Sequence, residues 1–112
     1  MDMKLYSQNI EYIIEHVSEH RLYEQLAEEC CELAQAALKM SRYLQKEDSV
    51  AMTEEEIYSK LDEEMTDVHV CMDTLYRRLT IDTELAAKKV ARWKSRIDEI
   101  MNTDPEEAIS HE

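Results

Sequence analysis

The chain has 112 residues, no glycine and one proline, so it is sized for one domain and poor in the residues that tight turns and sheets require. Without glycine it cannot build a Walker loop or a dinucleotide fingerprint. Thirteen Lys and Arg stand against 26 Asp and Glu, a net charge of −13 that opposes direct duplex nucleic-acid binding and attachment to anionic membranes.

Periodicity and capping residues predict four helices. The first runs from Gln8 to His16 behind Ser7 as cap, with Ile10, Ile13, Ile14 and Val17 on one side. The second runs from Glu19 to Gln45 with a stripe of Leu22, Leu26, Cys30, Leu33, Ala37, Met40 and Leu44. A polar connector, Lys46 to Met52, leads to Thr53 and Glu56, whose spacing makes a capping box. The third helix then reaches Leu79, with Ile57, Leu61, Met65, Val68, Met72, Leu75 and Leu79 facing inward. Asp82 caps a fourth helix to Asn102 that buries Ala86, Val90, Trp93, Ile97 and Ile100. Residues 1–102 form the domain, and 103–112 a polar tail or short helix opened by Asp104 and Pro105. The fold class is all-α: a four-helix bundle-like arrangement whose two long helices run antiparallel across a short connector.

The two long helices share a motif. Leu26-Ala-Glu-Glu-Cys-Cys-Glu-Leu33 aligns with Leu61-Asp-Glu-Glu-Met-Thr-Asp-Val68. At roughly 100° per residue, Glu29 and Glu64 lie about 60° from their stripe centres, and Glu32 and Asp67 about 120° on the same side. Glu28 and Glu63 point away. A single acidic pair on a helix is most often just solvated, but two pairs in matching positions at the edge of the apolar stripe point to a shared cation site. Four carboxylates gathered at a helix seam repel one another unless a cation compensates them, and oxygen ligands select a hard divalent ion. On the fourth helix Lys89, Arg92 and Arg96 fall to one side of Trp93, a cationic edge suited to phosphate oxygens.

Other constellations are weaker. His16 and His20 lack the further ligands of a zinc site, and Cys30, Cys31 and Cys71 lack the CxxC spacing of one. No glutamate has a histidine three residues later, which excludes a di-iron carboxylate bundle. Three unpaired cysteines, the absence of a long apolar run and an N-terminus unlike a signal peptide lead us to expect a cytoplasmic protein outside the membrane, with Cys30 a small core residue.

Glu28-Glu29-Cys30-Cys31-Glu32 followed by Glu64-Met65-Thr66-Asp67 resembles the EExxE…ExxD signature of the all-alpha NTP pyrophosphatase superfamily, the MazG-like proteins. The resemblance extends from Gln25 to Arg96 and includes Lys89-Val-Ala-Arg92-Trp-Lys-Ser-Arg96. The long stretch between Glu32 and Glu64 departs from the compact members. The resemblance implies a hydrolase, a magnesium-dependent nucleotide pyrophosphatase that splits a nucleoside triphosphate, often a deoxy or non-standard one, into monophosphate and pyrophosphate. It implies metal binding by Glu29, Glu32, Glu64 and Asp67 to Mg2+ or Mn2+, with Glu29 or Glu32 as the catalytic base. It further implies substrate contacts from Gln25, Lys89, Arg92 and Arg96, and a homo-oligomer, a homodimer or homotetramer, that completes the fold. Two alternatives stand beside it: a non-catalytic acidic helical interaction protein, and a phosphoribosyl-ATP pyrophosphohydrolase.

Overall fold

A computed structural model describes residues 1–46 and 51–103. Four helices follow in order, α1 (Met3–His16), α2 (Glu19–Leu44), α3 (Glu54–Thr74) and α4 (Thr83–Met101), and no strand occurs among the described residues. The fold is therefore all-helical, as composition requires. The predicted turn at Asp104 and Pro105 lies outside the described residues.

The caps explain most helix ends. α1 begins five residues earlier than predicted, because the Asp2 carboxylate, rather than Ser7, accepts from the Leu5 amide at 3.1 Å. At α3 the capping box is present on both sides: Thr53 Oγ1 accepts from the Glu56 amide at 3.2 Å, and Glu56 Oε1 accepts from the Thr53 amide at 3.4 Å. Asp82 caps α4 by accepting from the Leu85 amide at 3.0 Å. α3 stops at Thr74 rather than Leu79. The residues after it instead form turns, in which the Arg78 and Leu79 amides donate back to the Leu75 carbonyl. Past the end of α2, Lys46 adopts φ 60°, the left-handed position that glycine usually fills. In a glycine-free chain a β-carbon has to accept that conformation, at a cost of about 1 kcal/mol.

Residues Met1–Leu79 form one compact unit, and a second unit starting at Thr80 contains α4. In the first, α3 packs on α2 and also touches α1. Chain reach dictates how α2 and α3 run. At 1.5 Å per residue, a parallel pair with its acid motifs side by side would separate the end of α2 from the start of α3 by roughly 37 Å. Residues 45–53 reach roughly 33 Å when fully extended, and Gln45 and Lys46 are turn residues. The pair is antiparallel.

The packed faces have a period of 3.5 residues. On α2 the buried or half-buried positions are Leu22, Leu26, Glu29, Leu33, Ala36, Met40 and Tyr43, with Arg42 beside the last; on α3 they include Ile57, Leu61, Glu64, Val68, Cys71 and Leu75. Steps of four and three alternate, the spacing that keeps one face of each helix against its neighbour. This corrects the predicted stripes at Cys30, Ala37, Leu44 and Met65, all of which are exposed. Choosing the apolar residue at each ambiguous step leads away from the seam, because the seam itself accepts Glu29 and Glu64.

α1 is held to α3 and to the turns that follow it by polar contacts. The Tyr6 hydroxyl donates to Asp73 Oδ2 at 2.6 Å, which raises the Tyr6 pKa, and the Tyr76 hydroxyl donates to Glu11 Oε1 at 2.6 Å. The Arg77 guanidinium also pairs with Glu11.

The second unit differs. α4 has no buried residue: Val90, Trp93 and Ile97 are 65%, 68% and 49% exposed, Ala86 is exposed, and Ile100 is half-buried. The predicted stripe exists on the helix, but one helix offers no second surface against which to bury it.

Candidate metal centre

The antiparallel seam brings the two acid motifs together. Glu29, Glu32, Glu64 and Asp67 each place a carboxylate oxygen within 4.8 Å of those of the other three. The four do not share one environment. Glu64 is 2% exposed, Glu29 and Asp67 are half-buried, and Glu32 lies on the outer side. Helical angles measured from Leu61 predict Glu64 at the edge of its stripe; the face that packs is rotated toward the Glu64 side and away from Met65, which takes Glu64 fully into the seam.

A carboxylate removed from water is costly unless something compensates its charge and its lone pairs. Two oxygens at this site, Glu29 Oε2 and Glu64 Oε2, are buried and have no hydrogen-bond partner. Their companion oxygens are engaged. Glu29 Oε1 accepts from Gln25 Nε2 at 2.8 Å, and Glu64 Oε1 lies 2.7 Å from the Lys60 ammonium. The site therefore holds two orphaned acceptors inside an all-carboxylate donor set, which fits a hard divalent cation. Asp67 completes the set from α3, one turn beyond Glu64.

Mutual repulsion divides the protons unevenly. The Glu32 carboxyl is raised above the ordinary carboxylate range, first by the adjacent Glu64 carboxylate, with which a protonated Glu32 would share its hydrogen, and then by the charges of Glu29 and Glu64. Glu64 is lowered, chiefly by the Lys60 ammonium. Lys60 is itself raised by the same contact and by the Glu63 charge. The two carboxyls are therefore shifted in opposite directions, Glu32 toward holding a proton more tightly and Glu64 less.

Gln25 lies at the edge of the site, exposed and bonded to Glu29. Lys89, Arg92 and Arg96 meet on one side of α4, where together with Trp93 they line a surface hollow of about 240 Å³. The cationic edge read from helical angles is thus present on that helix. Glu28 and Glu63 are exposed, as predicted, and Glu63 adds a 3.9 Å contact to Lys60. Sequence reading missed Lys60. Its position one turn before Glu64 is the available signal, but that spacing is common on solvated helix faces.

The thiols play no part in the cluster. Cys30 and Cys31 are exposed, against the expectation of a core Cys30, whereas Cys71 is buried and its thiol pKa is pushed up by desolvation. No helix among the described residues is long and apolar enough to cross a membrane. Comparison of the chain with family models, curated proteins and solved structures finds no match.

Proposed function

We propose that the chain is a divalent-metal-dependent nucleoside triphosphate pyrophosphohydrolase of the MazG-like kind, acting on a deoxy or non-standard nucleotide in the cytoplasm. The observation that carries this reading is the convergence of Glu29, Glu32, Glu64 and Asp67 within 4.8 Å, with unpartnered oxygens buried among them. The resemblance to that superfamily's signature suggests the reaction, and four clustered carboxylates that could hold a cation support it.

Glu29, Glu32, Glu64 and Asp67 would hold Mg2+ or Mn2+. Such an ion, when bound, supplies Lewis-acid polarisation of a phosphate and a more acidic water. The residues of the chain do the rest. Glu32, the outermost of the four and the one with the raised pKa, is suited to take a proton from an attacking water, with Glu29 as the other candidate. The resemblance assigns phosphate contacts to Lys89, Arg92 and Arg96, which share one side of α4. Gln25 orients Glu29 through its amide. Assembly into a homodimer or homotetramer belongs to the same reading.

The test is a screen for pyrophosphate release over canonical and modified nucleotides in magnesium, with phosphoribosyl-ATP included. Glu64→Gln and Asp67→Asn should keep their helicity and lose turnover. Full activity in both variants would defeat the assignment. The uncovered apolar stripe of α4 favours the second reading, a non-catalytic interaction protein. That protein would release no pyrophosphate and would show no rise in melting temperature with magnesium.

A further inference from the structure

Among the described residues of the first unit, one cation is in contact with the carboxylate cluster. Lys60 lies on α3 one turn before Glu64, with its ammonium 2.7 Å from Glu64 Oε1 and 3.9 Å from Glu63 Oε2. Most Lys–Glu pairs with this spacing are solvated at both ends. Here the lysine side chain is 50% exposed, but its partner carboxylate is 2% exposed. On an isolated helix, Lys before Glu is also the weaker of the two orders. Intrinsic helix stabilisation does not account for the contact, whereas the charge gathered at the seam does.

We propose that Lys60 is a tethered counter-cation of this cluster. It compensates Glu64 when no divalent ion is present, is displaced when one binds, and then offers its ammonium to an oxyanion carried by that ion. This rests on reading the four carboxylates as a divalent-cation site.

Three features support the exchange. Glu64 Oε2 is buried without a partner, so the carboxylate that Lys60 holds on one oxygen is open on the other. An ion bound there faces the ammonium across a single carboxylate group, and two like charges that close in a poorly solvated place repel strongly. The lysine head is half in solvent on a flexible four-carbon stem, so it can leave Glu64 without unfolding anything. Once released from Glu64, it keeps the looser 3.9 Å contact with exposed Glu63 and has donors to spare beside the ion. A phosphate oxygen bound to that ion is the acceptor of matching charge.

The test uses the full chain at about pH 8, where carboxylates are ionised. Calorimetry measures Mn2+ binding, then the binding of inorganic pyrophosphate to the Mn2+-loaded protein, in wild type, Lys60→Met and Lys60→Arg. Lys60→Met should bind Mn2+ about tenfold more tightly, because a competing charge is gone, and pyrophosphate about tenfold more weakly. Lys60→Arg should stay within about threefold of wild type on both. Effects of opposite sign are the signature, since a variant that merely loosened the fold would lower both affinities. Should Lys60→Met not fold, Lys60→Gln takes its place, with helicity checked by circular dichroism. A folded variant that binds Mn2+ no more tightly, or pyrophosphate equally well, overturns the role of Lys60 alone. A wild-type chain that binds no divalent ion overturns the carboxylate site as well.

Discussion

Gln25 donates its side-chain amide to Glu29 Oε1 at 2.8 Å, while Glu29 Oε2 remains buried and unpartnered. One oxygen of the carboxylate is thus held by its own helix, and the other is left for a ligand. The residue that the superfamily resemblance assigns to the nucleotide pocket acts, in this structure, on a metal-ligand candidate. Gln25→Ala should therefore weaken Mg2+ or Mn2+ binding by about tenfold, the low end for a residue that orients a ligand. Calorimetric titration of a variant with unchanged helicity measures this, and equal affinity would remove Gln25 from the site.

Glu64 occupies a position in the seam where an apolar side chain would pack better. Replacing a buried charge with a hydrophobic residue is often stabilising, and Lys60, half in solvent, tolerates losing its partner. Glu64→Leu should raise the melting temperature of the ion-free protein by about 5 °C. It should also abolish the further rise that magnesium gives wild type. Thermal unfolding with and without magnesium decides the matter; a less stable variant that still responds to the ion would contradict the assignment.

The raised Glu32 carboxyl ties stability to pH. A folded state that holds a proton more tightly than the unfolded chain gains stability at low pH, and that gain fades as pH rises from the ordinary glutamate range through the raised value. Glu64, lowered by Lys60, acts in the opposite sense, and its contribution is lost as pH falls through the lowered value. The ion-free protein should thus lose melting temperature on both sides of a maximum. Glu32→Gln should flatten the high-pH side and leave the low-pH side in place. Identical profiles for variant and wild type would show that Glu32 is not where the proton resides.

Burial separates the thiols. Cys30 and Cys31 are exposed, and Cys71 is buried with a raised pKa. A thiol reagent should modify two cysteines in the native protein and the third only on unfolding, and Cys71→Ser should leave the fast pair unchanged. Rapid modification of all three would argue that the seam between α2 and α3 opens readily.

The amino-acid sequence by itself determined the helical class, the number of helices and most of their ends. Those features depend on neighbours a few residues apart: the missing glycines, the Thr53–Glu56 box and Asp82 at its cap. It also determined the pairing of the two acid motifs, because their helical angles match wherever the helices lie. Only the tertiary structure decided which residues form the seam. At each step of three or four a helix offers neighbouring candidates, and which side of it packs is settled only when a second helix lies against it. That packing puts Glu29 and Glu64 where Cys30 and Met65 were expected, and gives Lys60 a buried partner instead of a solvated one. The cost of burying charge is a property of the packed pair, and neither helix expresses it alone.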